Sequence, residues 1–270
     1  MAARVIRVFS DLHFRDAESH LQTLASLAPL FEGADEVILN GDTLDTQSAV
    51  TRDHLPEVRA FFAATVARTT FISGNHDPDI SPLVEHTLHT GRVWITHGDV
   101  LFDDIVPWGS LRGELVRRLT ALSLDLAPPE LARLETRLRL NRLACHALPE
   151  RHDISSRDLA RRLLRITRAL LPPRQALAML RAWRDTPRLA DELASRHRPD
   201  ARLVLVGHTH YPGVWRRPSG RVVVNTGSFS RFWGGHLVEL QDELVKVRRI
   251  EKRAGKFLPG RTLAEFPLAD

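Results

Sequence analysis

The sequence has one cysteine, Cys145, among its 270 residues. A single thiol cannot close a disulfide within the chain, and it cannot supply a Cys-x-x-Cys structural zinc site. No apolar run approaches the ~18 residues that a membrane span needs. The N-terminal segment MAARVIRVFSDLHF is basic but lacks the apolar stretch of a signal peptide. These absences predict a soluble, cytoplasmic protein without a transmembrane segment.

Lysine is absent from residues 111–200, although this segment contains about 19 arginines and about 11 acidic residues. The formal net charge of the whole chain is +5, so this block carries roughly +8 and the remainder roughly −3. Two interpretations stay open at this point. The block is either a solvated helical surface or a basic surface that meets an anionic substrate, a membrane or a nucleic acid.

Short β-branched runs alternate with helical patterns in the first hundred residues. This alternation predicts parallel strands joined by right-handed crossovers. The predicted strands cover 4–9, 36–40 and 69–73, the predicted helices cover 18–31 and 55–68, and 88–99 reads as two strands around a Thr-Gly turn.

Leucine and arginine dominate from 104 to 200, where the pattern predicts four or five consecutive helices. Strand patterns return after 200, and the tail 251–270 is predicted to be a surface loop because it contains glycine, proline and charge. We therefore predict an α/β core domain formed by 1–103 and 201–270, interrupted by a helical insertion or cap at 104–200.

Asp, His and Asn cluster where the predicted strands end. In chain order the clusters are Ser10-Asp11-Leu12-His13, Asn40-Gly41-Asp42-Thr43-Leu44-Asp45, Ser73-Gly74-Asn75-His76-Asp77, Thr96-His97-Gly98-Asp99 and Gly207-His208-Thr209-His210. The carboxyl ends of parallel strands lie along one edge of a sheet, so these clusters should meet there. Carboxylates mixed with imidazoles suit Mn, Fe or Zn, and a pair of such cations catalyses in-line displacement at phosphorus.

The order DxH, GDxxD, GNHD, HGD and GHTH resembles the calcineurin-like metallophosphoesterase superfamily, over about residues 4–105 and 200–230. The resemblance implies an α/β fold in which a two-layer β-sandwich of mixed sheets is flanked by helices. It also implies two divalent cations, with Mn²⁺ expected and Fe or Zn as alternatives. The implied ligands are Asp11, His13, Asp42 and His210 for one cation and Asp42, Asn75, His97 and His208 for the other, with Asp42 shared.

The resemblance further implies that His76 faces the scissile phosphate, where it stabilises charge or protonates the leaving oxygen, and that Asp45 orients His76. Asp77 and Asp99 are expected to support the ligands rather than bind metal. The predicted reaction is hydrolysis of a phosphate ester or pyrophosphate bond by in-line attack of a hydroxide that bridges the two cations.

A two-faced helix is predicted near 156–171 in the insertion. Its basic face is either solvated or part of a cap over the substrate site, where Arg157, Arg161 and Arg165 would bind phosphate or an anionic headgroup. A helical insertion at this place is similar to the UDP-2,3-diacylglucosamine pyrophosphohydrolases of lipid A synthesis. Those enzymes usually have arginine at the position of His76. The similarity implies a UDP-sugar lipid substrate. The arginine-rich insertion predicts peripheral contact with the inner membrane surface.

Three other functions stay open. The chain is alternatively a nucleotide phosphodiesterase or nuclease, a general phosphatase of the same superfamily, or a scaffold that has lost catalysis. Nucleic acid therefore remains a candidate partner beside a small phosphate ester. Four aromatic residues also have two interpretations, packing or stacking on a base or sugar; they are Trp215, Phe229, Phe232 and Trp233.

Overall fold

The computed structural model describes residues 4–146, 148 and 173–268, and the β-branched runs of the sequence form strands in it. The strands are β1 Val5–Phe9, β2 Glu36–Asn40, β3 Thr69–Ile72, β4 Glu85–Leu88, β5 Val93–Thr96, β6 Leu203–Val206, β7 Gly213–Arg216, β8 Val222–Asn225, β9 His236–Gln241, β10 Leu244–Arg253 and β11 Lys256–Pro267. The described α-helices are α1 Leu55–Thr65, α2 Arg112–Ser123, α3 Pro128–Leu131, α4 Leu134–His146 and α5 Pro173–His197.

The strands form two mixed sheets. One sheet has the order β11-β10-β9-β1-β2-β3 and the other has the order β4-β5-β6-β8-β7. Strands β1, β2 and β3 run parallel to each other, as do β5, β6 and β8. Each sheet therefore brings the carboxyl ends of three strands together at one edge, which is where ligands of α/β sheets bind.

Alternation along the strands divides their side chains between two apolar layers. Val8 and Ile38 of the first sheet pack against Leu205 of the second sheet in the layer between the sheets. Leu39 points the other way, into a layer covered by α1 and a 3-10 helix at Leu24–Leu30. Because both faces of the central strands are covered, these strands appear in the sequence as continuous apolar runs.

Helices of the segment 104–200 cover the outer face of the second sheet. Leu138 of α4 and Ala194 of α5 pack in the same buried cluster as Val204 of β6. The predicted fold class is thus confirmed, since the chain forms two mixed sheets flanked by helices. The boundaries at 104 and 200 stay a prediction. No helix in the described residues is both long and apolar enough to cross a membrane.

Two local predictions were wrong. The tail, predicted as a loop over 251–270, is not a loop as far as Pro267, because β10 and β11 form an antiparallel hairpin whose turn contains Gly255 at φ 79°. Strand β11 is at the sheet edge, where Pro259 and charged residues are tolerated. The predicted helix 18–31 shrinks to the short 3-10 helix Leu24–Leu30, which contains Pro29, a residue without an N–H donor.

Candidate metal centre

The predicted ligands come from loops that follow strands of both sheets. Asp11 and His13 follow β1, Asp42 follows β2, and Asn75 follows β3. From the second sheet, His97 follows β5, and His208 and His210 follow β6. All of these side chains are buried except that of His210, which is partly exposed. The fold therefore brings together seven residues from both halves of the sequence.

The first group contains Asp11, His13, Asp42 and His210, whose potential ligand atoms all lie within 4.8 Å of one another. His210 Nε2 lies 3.2 Å from Asp11 Oδ1. His13 Nε2 lies 3.8 Å from Asp42 Oδ2. This set of two carboxylates and two imidazoles matches the donors that divalent transition metals accept.

The second group contains Asp42, His97 and His208, again with ligand atoms within 4.8 Å of one another. His97 Nε2 is 3.3 Å from Asp42 Oδ2 and 3.3 Å from Asn75 Oδ1. Asn75 can therefore contribute an oxygen beside this group. Because Asp42 belongs to both groups, its carboxylate lies where it could bridge two cations.

The first group contains buried polar atoms that lack suitable polar partners within the protein. Asp11 Oδ1 is buried beside His210 Nε2 at 3.2 Å, but it has no partner in good hydrogen-bond geometry among the described residues. His13 Nε2 and His210 Nε2 face each other at 3.1 Å, so two ring lone pairs converge unless one nitrogen carries a proton. A cation bound among these atoms would compensate the negative charge of the carboxylates and would lie between the two ring lone pairs. The residues present therefore fit a metal ion.

Backbone carbonyls set the tautomers of two histidines in the second group. His97 Nδ1 donates a hydrogen bond to the Asn40 carbonyl oxygen at 3.0 Å, so Nε2 is the ring nitrogen that faces Asp42 Oδ2, at 3.3 Å. His208 Nε2 donates to the Ile105 carbonyl at 2.8 Å, which leaves Nδ1 free to bind metal. Such contacts orient metal-ligating imidazoles. The Ile105 carbonyl was not foreseen from the sequence, because no motif identifies a backbone acceptor.

Burial also sets the charge of several ligands. Burial and the neighbouring His210 lower the pKa of His13 to about 4, and burial together with His97 lowers the pKa of His208 to about 4. Both imidazoles are therefore neutral at neutral pH, which is the form that binds metal. Burial would raise the pKa of Asp42, but His97 and His76 lower it well below its usual value, so its carboxylate is charged.

Five of the predicted ligands have left-handed backbone conformations. This conformation is uncommon for residues other than glycine, and it clusters at functional sites. The residues are Asp11 (φ 52°), His13 (φ 44°), Asp42 (φ 52°), His208 (φ 65°) and His210 (φ 58°). Sequence reasoning missed this feature, because a backbone angle leaves no mark at an aspartate or histidine.

His76 and Asp45 lie beside the first group and contact each other. His76 Nδ1 is 3.0 Å from Asp45 Oδ2, and the His76 backbone N–H donates to Asp42 Oδ1 at 2.8 Å. The rings of His76 and His13 meet edge to face with centroids 5.0 Å apart. His76 is partly exposed, whereas Asp45 is buried. The pair has the geometry of an oriented proton donor, and its catalytic role stays a prediction.

Of the two aspartates expected to support the ligands, Asp77 contacts the ligand loops and Asp99 contacts helix α4. Asp77 accepts hydrogen bonds from the backbone N–H groups of Asp42 at 2.9 Å and Gly74 at 2.8 Å, which ties the loops after β2 and β3 together. Asp99 accepts a hydrogen bond from Asn141 of α4 at 3.0 Å. Arg157, Arg161 and Arg165 lie outside the described residues, so their predicted contact with substrate stays a prediction.

Comparisons with known proteins agree with this fold. The sequence profile of the calcineurin-like phosphoesterase superfamily domain matches residues 5–239. No curated protein matches the sequence. A dimetal phosphatase from Danio rerio is similar in structure at 14% identity, with 100% of each chain covered and a TM-score of 0.51.

Two further structures are similar with lower TM-scores. An uncharacterised protein of Streptococcus pneumoniae, described as a predicted phosphoesterase, is 17% identical over 99% of each chain, with a TM-score of 0.44. Vps29 from Chaetomium thermophilum is 10% identical over 98% of this chain and 99% of its own, with a TM-score of 0.47. The family match spans most of the sequence. The chain therefore belongs to the calcineurin-like phosphoesterase superfamily.

Proposed function

We propose that the protein is a metal-dependent phosphoesterase that binds two divalent cations and hydrolyses a phosphate ester or pyrophosphate bond. The observation that carries the proposal is that Asp42 belongs to two separate groups of ligand atoms, each within 4.8 Å. A single structural cation would need only one of these groups. Family membership supports the same chemistry. Mn²⁺ is the proposed metal, since mixed carboxylate and imidazole donors suit it.

The protein groups have distinct proposed roles. Two divalent cations bound there would neutralise phosphate charge and acidify a water molecule at neutral pH. His76 donates a proton or a hydrogen bond toward the ester, with its ring held through Nδ1, which lies 3.0 Å from Asp45 Oδ2. Asp45 keeps the ring in that orientation. The partial exposure of His76 allows a substrate to reach it.

The organic part of the substrate stays a prediction. The UDP-sugar lipid, the nucleotide and the general phosphomonoester expected from the sequence all present a phosphate to the same cluster. The cytoplasmic location, the peripheral membrane contact and nucleic acid as a partner are likewise proposals. Hydrolysis of an aryl phosphate by the Mn²⁺-loaded protein separates the enzyme from a scaffold that has lost catalysis, since a scaffold can bind cations without hydrolysing an ester.

Metal stoichiometry of variants tests the dinuclear assignment. Asp42→Asn keeps the side-chain volume but weakens the shared carboxylate, so we expect both cations to be lost. Asn75→Ala removes an oxygen near the second group alone, so we expect loss of about one cation. Equilibrium dialysis against Mn²⁺ followed by elemental analysis measures both.

Asp53→Ala is the matched control, because the Asp53 side chain is 88% exposed and belongs to neither group. The control should bind as many cations as the wild type and hydrolyse an aryl phosphate at the same rate. A wild-type protein that folds but binds no divalent cation would contradict the proposal, as would equal losses in the Asp42 and Asn75 variants.

A further inference from the structure

Three aromatic residues that are distant in sequence form one cluster beside the candidate metal centre. The rings of Trp183 and Tyr211 are stacked, with centroids 5.0 Å apart and an interplanar angle of 19°. Trp233 meets both rings edge to face, with centroids 4.9 Å from Trp183 and 5.7 Å from Tyr211. We call these three residues the aromatic cluster.

The aromatic cluster is attached to the loop that carries two predicted metal ligands. Tyr211 directly follows His210, so their Cα atoms are about 3.8 Å apart. The Trp183 indole N–H donates a hydrogen bond to the carbonyl of Thr209, which lies between His208 and His210, at 2.9 Å. A ring bound on this cluster would therefore lie close to the first group of ligands.

Trp233 is positioned by a loop that closes on itself. The backbone N–H of Ser228 donates to the Gly234 carbonyl at 3.0 Å, and the N–H of His236 donates to the Thr226 carbonyl at 2.7 Å. These bonds constrain both ends of the segment that carries Trp233. The segment that carries Trp233 is therefore fixed at both ends by backbone hydrogen bonds, and its ring contacts do not depend on a loose loop.

Two members of the aromatic cluster remain open to solvent although they touch other rings. Tyr211 is 37% exposed and Trp233 is 45% exposed. Tyr211 also carries a phenol hydroxyl at the edge of its ring. The cluster therefore offers both an apolar ring face and a polar edge. This combination matches a heteroaromatic ring, whose edge carries hydrogen-bonding atoms, better than it matches an acyl chain.

The other aromatic residues considered from the sequence have different surroundings. Phe229 is 3% exposed and packs against Phe9, and Trp215 is partly buried against the core of the second sheet. Both are explained by packing. Phe232 is 68% exposed and makes no ring contact with a described aromatic residue. It therefore provides a control beside the aromatic cluster.

We propose that the aromatic cluster binds the flat heteroaromatic ring of a phosphate ester, as a nucleobase would be bound, while its phosphate lies at the metal ligands. The proposal rests on the proposed function, since it places the phosphate at the candidate metal centre. Tyr211 and Trp233 then determine which esters bind tightly. Stacking of one base on such rings contributes about 5- to 150-fold in affinity.

Adenosine 5′-monophosphate and ribose 5-phosphate are the matched probes, because they share the phosphorylated ribose and differ at C1′, which carries the base in one and a hydroxyl in the other. Titration calorimetry on the Mn²⁺-loaded protein measures the two dissociation constants. The wild type should prefer adenosine 5′-monophosphate by about 10-fold or more. Tyr211→Leu and Trp233→Leu, which keep apolar bulk but remove the ring, should each reduce this preference by about 5-fold or more.

Phe232→Leu should retain the wild-type preference. Equal affinity of the wild-type protein for the two ligands, or an equal loss of preference in the Phe232 variant, would overturn the proposal. A metal-loaded protein that binds neither ligand would overturn it as well. If the ring preference is present but no ester is hydrolysed, the ring site stands and the proposed catalytic function fails. Elemental analysis of the same samples shows whether the cations are bound.

Discussion

At the scale of single residues, His76 differs from the neighbouring histidines in its surroundings. His13, His97 and His208 are buried among the other predicted ligands, whereas His76 is partly exposed and hydrogen-bonded to a carboxylate. A histidine whose ring orientation is fixed and whose side chain is partly open to solvent can contact a substrate directly, without serving as a metal ligand. The structure thus separates its position from those of the ligands.

Replacing this imidazole should reduce turnover without removing the metal. We expect His76→Ala to retain both cations and to lose roughly 10²–10⁴ in kcat on an alkyl phosphate, which is the usual size of one acid–base contribution. The loss should be smaller on an aryl phosphate, whose leaving oxygen needs little protonation. Steady-state kinetics on the two esters measures the difference, and loss of metal from this variant would contradict the assignment.

At the scale of elements, the loop after β3 passes very close to the loop after β2. A methyl group at Gly74 would overlap the Asp42 carboxylate, and one at Gly41 would overlap the His97 ring. Gly41 also has a φ of 83°, a conformation that side chains disfavour. The two glycines therefore let the ligand loops approach each other closely.

Adding one methyl group at this contact should disturb the shared ligand. We expect Gly74→Ala to lower the affinity for both cations at least 10-fold, because a misplaced carboxylate no longer meets both positions. The matched control is Gly113→Ala in α2, where the nearest atom to the added methyl group is Arg117 Nη1 at 3.9 Å. Mn²⁺ titration monitored by calorimetry compares the two variants. Equal affinities in the Gly74 variant and the control would show that the loop can adjust.

The strands that precede the ligands were predictable because their apolar composition matches their central position in the sheets. The runs of β2 and β6 are buried on both faces, β1 is buried on one face and half-buried at Val5 and Arg7 on the other, and each of the three ends in a polar cluster. The tail was not predictable in this way. An edge strand such as β11 is not required to alternate strictly, so Pro259, Gly260 and the charged residues resembled a loop.

The candidate site was only partly predictable for a related reason. Short motifs identify side chains but not backbone groups or contacts between distant segments. The left-handed angle of His208, the carbonyl of Ile105 that orients it, and the packing of Trp108 over its ring were all invisible in the sequence. The aromatic cluster was hidden as well, since its members are at positions 183, 211 and 233.

At the scale of the whole molecule, the predicted ligands connect the two sheets. His97 follows β5 of the second sheet, while Asp42 follows β2 of the first, and their ligand atoms are 3.3 Å apart. Cations held here would bind the folded chain and not the unfolded one. Metal binding should therefore add to the free energy of unfolding by mass action.

Removing metal should lower thermal stability. Treatment with a chelator is expected to reduce Tm by about 5–10 °C relative to protein in Mn²⁺ at 100 times Kd, since such saturation contributes about 2.7 kcal/mol. Asp42→Asn should show little dependence of Tm on Mn²⁺, whereas Asp53→Ala should show the full wild-type shift. Differential scanning calorimetry with and without chelator measures it. A wild-type Tm that does not change when Mn²⁺ saturates the protein would contradict the coupling between metal binding and folding stability.

The separation of the ligands along the chain also has a consequence for folding kinetics. His13 and His210 are 197 positions apart, yet their ring nitrogens are 3.1 Å apart. Closing a loop of that length is entropically costly, so contacts of this kind form late in folding. Interactions that are absent from the transition state slow unfolding and leave the folding rate nearly unchanged. Bound cations would therefore prolong the lifetime of the native state, while the rate at which the chain folds would stay nearly the same.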